Sequence, residues 1–377
     1  MVRHLWVLVC VSLVNCHGAG GVQPSADGGS ADGAHAADAS AKPPALVGLA
    51  VNESALAAPG NQGFEDAASL MVASGGNAFL TSATWHDVEL TSGQISFQNG
   101  LDGPVSLIVS AHPEITGVVY VLKMIDSNIR VMPDDLQSLP FDNATVVMRF
   151  QNLIDALAAD PASARISHLL LGNEVDGYLS QHPDEEAAFE TLLEAGIDRV
   201  HLRLPNAKVA TIVTAGGAKS SPALIAALNT HTDFVSYTYY PDEGDILGSA
   251  PLHMKPIADI DVDLQFLADS AGAKPFAFTE IGCSSTTAYA SSEDLQAQFV
   301  TEVFRIFKPS RDLGQVAFMI YQLIYDYAPD LCGPYAAAQG VSPDAICPLM
   351  NGAGLRNYSD GTPKKSWNVF LDALENW

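Results

Sequence analysis

Two apolar runs in this 377-residue chain each stop on a glutamate: Leu169-Leu170-Leu171-Gly172-Asn173-Glu174 and Pro275-Phe276-Ala277-Phe278-Thr279-Glu280. Each run reads as a buried strand. A carboxylate at the end of a buried parallel strand is costly unless it faces a cavity that uses the charge. Two such carboxyl groups can split an acetal linkage, one protonating the leaving oxygen while the other attacks the carbon. That chemistry requires both glutamates to stand at the same end of one sheet.

The pattern from residue 45 onward supplies such a sheet. Short β-branched runs predict strands at 45–51, 77–82, 118–123, 168–172, 208–213, 233–238, 275–279 and 315–320. Amphipathic stretches predict helices at 64–73, 145–158, 185–203, 222–229, 260–270, 293–307 and 365–375, with a weaker helical pattern over 105–113. Eight strands alternating with helices make an α/β chain, a single-domain (β/α)8 TIM barrel spanning residues 45–377. A doubly wound open sheet is disfavoured, because Val51-Asn52-Glu53-Ser54 follows the first strand in place of a glycine-rich phosphate loop. No internal repeat is present.

In such a barrel the working residues come from the C-terminal ends of the strands. Strand two runs out through Trp85, His86, Asp87 and Glu89, and strand three through Lys123 and Asp126, with Arg130 beyond. Strand four ends on Asn173 and Glu174, strand six on Tyr237, Thr238, Tyr239 and Tyr240, strand seven on Glu280, and strand eight on Tyr321 and Gln322. Aromatic faces stack on sugar rings and polar groups read hydroxyls. Glu53 and Glu89 read as structural or rim carboxylates, and Lys123, Asp126 and Arg130 as distal contacts or an internal ion pair.

These residues resemble the glycoside hydrolases of clan A, retaining (β/α)8 enzymes with Asn-Glu ending strand four and a glutamate ending strand seven. The resemblance implies that Glu280 is the nucleophile, kept ionised by neighbouring donors, and that Glu174 is the acid/base. It gives Tyr239 the hydrogen bond that holds the nucleophile, puts Tyr237 where many members have histidine, and assigns Asn173 to the sugar 2-hydroxyl. Trp85, Tyr240 and Tyr321 are expected as stacking platforms, with Gln322 and Lys123 as further substrate contacts. The segment Gly354-Leu355-Arg356 through Trp367 looks like the closing stretch of these barrels. Two departures stand out: Phe79–Trp85 lacks the arginine many members carry near the end of strand two, and Tyr321 replaces a common tryptophan. The implied substrate is an extracellular polysaccharide or oligosaccharide cut at β-linkages of the galactan, glucan or mannan type, within the chain. The alternative is a barrel without turnover that binds carbohydrate at the cell surface.

Composition agrees with a neutral substrate outside the cytoplasm. Eighteen basic against 43 acidic residues leave a net charge of −25, which disfavours nucleic acid and anionic membranes. Arg3 and His4 precede the short apolar run Leu5–Val14, an export signal over residues 1–16. The run ends Leu13-Val14-Asn15-Cys16, which resembles a lipoprotein box with Cys16 as the lipidated residue. Residues 17–44 are Gly, Ala, Ser, Asp and Pro and predict a flexible tether. The expected protein is thus secreted or anchored in the cell envelope by lipid alone, and monomeric. Cys332 and Cys347 bracket a Pro-, Gly- and Ala-rich loop that a disulfide would staple, leaving Cys283 as a small buried residue. No cofactor is expected. Ten histidines form no His-Glu-x-x-His, Asp259–Asp263 lacks the pattern of a calcium loop and suits helix capping, and no Gly-x-Ser-x-Gly occurs.

Overall fold

Leu46–Leu49 is the shortest complete strand of the barrel, and its hydrogen bonds show how the barrel closes. We label the strands β1 (Leu46–Leu49), β2 (Ala78–Thr84), β3 (Gly117–Asp126) and β4 (Ile166–Asn173). They continue with β5 (Lys208–Ala210 and Ile212–Thr214, broken at Thr211), β6 (Val235–Tyr239), β7 (Phe276–Ile281) and β8 (Val316–Tyr321). All neighbouring pairs in the runs β2-β3-β4-β5 and β5-β6-β7-β8-β1 are parallel. The remaining seam is bridged by Asn77, whose amide nitrogen donates to Val47 O at 2.8 Å while its side-chain oxygen accepts from Val47 N at 2.8 Å. Glycine is required beside that seam, since a Cβ on Gly48 would stand 2.2 Å from Ala78 O. The computed structural model describes residues 45–58, 61–243 and 251–377; the export signal, Cys16 and the 17–44 tether lie outside the described residues.

Side chains alternate between two cores, as strand geometry demands. Leu80, Val119, Val121, Leu170, Ala210, Ile212, Ala277, Phe318 and Ile320 fill the barrel. Phe79, Tyr120, Leu122, Leu171 and Phe278 point outward against the helices. Each large apolar side chain so buried contributes about 1.5–3 kcal/mol. The surrounding helices are α1 (Gln62–Ala73), α2 (Ala144–Ala159), α3 (Glu186–Arg203), α4 (Pro222–Leu228), α5 (Ile257–Ser270) and α6 (Glu293–Asp312). Their starts carry local signals: Asn143 Oδ1 accepts from Thr145 N at 2.9 Å before α2, and Ser292 Oγ from Leu295 N at 3.2 Å before α6. The weak helical pattern over 105–113 becomes a π-helical turn, Val105–Val109. Asp263 sits inside α5 and pairs with Lys255 and Lys219, so it is an ion-pair residue and not the helix cap expected of that acidic run.

The Cys-bracketed stretch is helical, where its composition predicts a loop. Pro329 opens α7 (Pro329–Ala338) and Pro343 opens α8 (Pro343–Met350), because the missing N–H of proline costs nothing at the first helical position. Cys332 and Cys347 join the two helices across 15 residues. Closing a loop of that size stabilises by about 3 kcal/mol. Replacing both cysteines by alanine is therefore expected to lower the unfolding free energy by about that amount in urea titration. An unchanged midpoint would mean that the staple does not constrain the unfolded chain. Behind the hairpin, α9 (Lys365–Glu375) closes the ring, and the buried Lys364 ammonium ties the closing segment to Ser285 Oγ and Gly354 O, both at 2.9 Å, and to Asp326. Cys283 is buried, its thiol pushed up to about 12 by burial, which makes it unreactive.

Candidate active site

The end of β4 is bent by backbone conformations that side chains rarely adopt. Gly172 has φ +87°, and Glu174 itself is left-handed at φ 47°, ψ 45°. Among the described residues three non-glycines have positive φ, and two of them, Ser127 and Glu174, touch each other. Such strain persists where the surroundings over-determine it, which is the habit of working sites. Ser127 Oγ donates to Glu174 Oε2 at 2.6 Å and Thr238 Oγ1 to Oε1 at 2.7 Å. Past the bend, Asp176 accepts from Thr214 N at 2.8 Å and Thr214 Oγ1 at 2.6 Å, locking the short helix Val175–Gln181 onto β5. Gly217 leaves room for this anchor, since a Cβ there would stand 2.0 Å from Asp176 Oδ2. Burial pushes the Asp176 carboxyl up to about 6, against the two Thr214 bonds and with the Glu174 charge adding to it.

Glu280 reaches the same bowl through a register shift. It pairs with Thr238 of β6 after an irregularity between Phe278 and Glu280. Below it Thr279 also faces inward, sharing a 2.5 Å hydrogen bond with Ser236. Two successive inward side chains are what a bulge permits. Thr238 therefore sits opposite Glu280 in the sheet and donates to Glu174, so one residue spaces the two carboxyl groups. Tyr240 Oη donates to Glu280 Oε2 at 2.7 Å. Lys123 pairs with Asp126 at 3.1 Å, and Asp126 Oδ1 also accepts from Asn173 Nδ2 at 2.9 Å. Burial pushes the Glu280 carboxyl up to about 7, with the negative charge of Glu174 adding to it and Tyr240 and Lys123 opposing it. The sequence predicts a Glu280 held ionised by its neighbours; the buried floor of the bowl outweighs them. Tyr240 is raised well above the ordinary phenol, first by burial and then by Glu280, so it remains a donor.

The structure brings Glu174, Glu280, Asn173, Tyr240 and Lys123 together and turns other expected residues away. Tyr239 does not hold the strand-seven glutamate: its hydroxyl donates to Asp263 at 3.2 Å and its ring stacks on Phe299 of α6. Tyr237 bonds Ser270 of α5 at 2.9 Å. Both point outward because strand side chains alternate, and Tyr240, one residue on, takes the inward position. Trp85 is no platform, since it is buried on Phe150 with its indole N–H on Glu89 at 2.7 Å. Glu89 in turn is salt-bridged to Arg149 at 3.1 Å, a structural carboxylate. Tyr321 packs outward against Phe299 and Phe370. Gln322 is fully buried beside Gly282 and the Tyr240 ring, beyond the reach of a sugar as packed. Arg130 is an internal ion, paired with Glu185 at 2.5 Å over the Phe141 ring. Among the described residues no group of three His, Cys, Asp or Glu could hold a metal ion.

Sequence reasoning gave Thr238 no role of its own at the end of strand six and missed Ser127, Asp176 and Tyr335. Thr238, Ser127 and Asp176 are common residues whose roles exist only through long-range partners. Tyr335, on α7, stands close enough that the charges of Asp126, Glu174 and Glu280 add to burial in raising its phenol. Its one sequence signal is its place between the two bonded cysteines.

No protein-family model and no curated protein matches the chain. Solved structures do. The exo-β-1,4-mannosidase Op5Man5 from Opitutaceae bacterium strain TAV5 is 15% identical with a TM-score of 0.64, covering 88% of this chain and 59% of its own. A GH5_18 variant from Bifidobacterium longum subsp. longum ATCC 55813, in complex with Manβ1-4GlcNAc, is 13% identical with a TM-score of 0.63, over 85% of this chain and 74% of its own. The β-glycosidase BGL167 is 14% identical with a TM-score of 0.58, over 82% and 85%. This chain thus spans 59% of the length of the Opitutaceae mannosidase it matches. The likeness is one of fold, the (β/α)8 barrel.

Proposed function

We propose that this protein is a retaining β-glycosidase in which Glu280 attacks the anomeric carbon and Glu174 protonates the leaving oxygen. The observation that carries the reading is the pairing of the two carboxyl groups through Thr238, in register with Glu280 and bonded to Glu174. A retaining mechanism needs its carboxyl groups about 5–5.5 Å apart; Glu174 follows β4 and Glu280 lies in β7, and Thr238 of β6 links the two. Tyr240 and Lys123 favour the ionised nucleophile. Asn173, oriented by Asp126, offers its amide to a sugar hydroxyl next to the reacting carbon. The sugar specificities in the names of the structural neighbours favour β-mannosides as the first substrates to test, before β-glucosides and β-galactosides. Cutting within a chain loses its support, because Trp85, Tyr237, Tyr239 and Tyr321 are structural. Export and lipidation at Cys16 remain part of the proposal on the strength of the N-terminal sequence.

The test is hydrolysis of aryl β-glycosides and β-linked oligosaccharides by wild type, Glu280→Gln and Glu174→Ala. Glycan binding that survives in all three without any hydrolysis would favour the carbohydrate-binding reading instead. A second expectation concerns pH. Glu280 must be ionised to attack, so kcat/KM is expected to fall below pH about 7. Tyr240→Phe removes a donor that lowers the Glu280 pKa, so the acid limb should move to higher pH, with activity down about 10–100-fold at pH 6. A pH profile unmoved by this substitution would remove Tyr240 from the account.

A further inference from the structure

We infer that Gly282, just past Glu280 and Ile281, is a positioning residue for the nucleophile: its missing side chain leaves the space in which the Tyr240 ring sits when its hydroxyl bonds Glu280. This role rests on the glycosidase reading and adds to it a residue that touches no substrate. Gly282 is buried and is not among the glycines with positive φ, so its backbone conformation does not call for glycine. Space does. A Cβ there would stand 3.0 Å from Gln322 O, 3.2 Å from Tyr240 Cε1 and 3.3 Å from Gln322 Cβ, where carbon atoms in ordinary contact keep about 3.5–4.0 Å. Cε1 is the ring carbon beside the one that bears the hydroxyl. The methyl would therefore press on the end of Tyr240 that donates to Glu280 Oε2 at 2.7 Å.

The backbone around Gly282 is tied on both sides and cannot retreat from such a methyl. Gly282 N donates to Tyr239 O at 3.1 Å, and Ile281 O accepts from Gln322 N at 2.9 Å. Beyond it, Cys283 O accepts from the buried Gln296 side chain of α6 at 2.7 Å, and Ser284 Oγ and Thr286 Oγ1 donate to Pro348 O of α8 at 2.9 and 2.6 Å. The root of Tyr240 is held as well: its carbonyl accepts from Asp242 N, and that of Pro241 from Lys255 N, both at 2.8 Å. What can give way is the half-buried Tyr240 ring, turning about its own side-chain torsions. That turn carries the hydroxyl off Glu280. The other charged and titratable groups facing Glu280 are Glu174 past β4, Lys123 and Asp126 of β3, and Tyr335 of α7. The methyl meets Tyr240 and Gln322 before any of them.

The experiment measures kcat/KM against pH on aryl β-mannosides, β-glucosides and β-galactosides with wild type, Gly282→Ala, Tyr240→Phe and the double variant. Without the Tyr240 donor the Glu280 carboxyl is harder to ionise. Gly282→Ala should therefore move the acid limb to higher pH, lowering kcat/KM about 3–30-fold at pH 6 and less than about threefold at pH 8. In the Tyr240→Phe background the same methyl should change the ratio between the two pH values by less than about twofold, because the bond it disturbs is already absent. An acid limb unmoved by Gly282→Ala, or moved equally in both backgrounds, would overturn the inference while leaving the glycosidase reading standing. If Gly282→Ala does not fold, Gly282→Ala combined with Tyr240→Ala decides the matter. With the ring gone the methyl has room, so the pair should unfold in urea at the midpoint of Tyr240→Ala alone; a pair that stays unfolded where Tyr240→Ala folds would overturn the inference. Absence of hydrolysis of every glycoside by wild type would overturn both readings.

Discussion

Glu280→Gln is expected to lose at least about 10⁴-fold in kcat, since no covalent intermediate can form without the nucleophile. The fold should survive, because an amide oxygen can still accept from Tyr240 across the same 2.7 Å. The substitution should in fact stabilise the protein at alkaline pH. Burial raises the Glu280 carboxyl from 4.5 to about 7, so the folded state binds a proton there that the unfolded state has already released. Stability contributed by that difference is fully present below pH about 4.5 and is lost as pH rises to about 7. At pH 8 the glutamine variant should therefore unfold later than wild type, by on the order of 1–3 kcal/mol, and the gap should close by pH 4.5. Urea titrations at both pH values read this directly. An inactive but less stable variant at pH 8 would show that Glu280 is held by attractions stronger than its burial.

Glu174→Ala carries the second large effect, and its signature depends on the leaving group. Without the acid, glycosides of sugars or alkyl alcohols should lose about 10²–10⁴-fold, whereas a dinitrophenyl glycoside, whose leaving oxygen needs no proton, should still form the intermediate. That intermediate would then accumulate, because no base activates water. Azide, a charged nucleophile fitting the space left by the carboxylate, should restore turnover and yield a β-glycosyl azide. Equal losses on good and poor leaving groups, with no azide product, would remove Glu174 from the acid/base role. Ser127→Ala offers a milder companion: losing the 2.6 Å bond to Glu174 should cost about tenfold on poor leaving groups and little on good ones.

The barrel was legible because buried parallel strands are near-continuous apolar runs bounded by amphipathic helices. Strand ends were readable to within a few residues, and the two glutamates stood out because a charge terminated each run. What surrounds them was less legible for specific reasons. Tyr237-Thr238-Tyr239-Tyr240 carries aromatics on both faces, so nothing in its composition says which tyrosine faces inward, and a one-residue slip exchanges the faces. The bulge that turns Glu280 into the bowl follows from pairing with β6 and leaves no mark on Pro275–Thr279 itself. Trp85 and Glu89 satisfy each other and Arg149 within a buried network, yet as a sequence they read as rim residues. Proline, glycine and alanine between Cys332 and Cys347 suggested a loop, although Pro329 and Pro343 sit where proline starts a helix. Tyr335 was hidden with them.

In a retaining mechanism Glu280 becomes covalently bonded to the sugar. Incubating the protein with 2-deoxy-2-fluoro-β-mannosyl and -β-glucosyl donors bearing a dinitrophenolate leaving group should trap that ester, and peptide mass mapping should find the label on Glu280, within Phe276–Ile281. Label on another residue, or turnover that releases the α-anomer with no covalent adduct, would contradict the account.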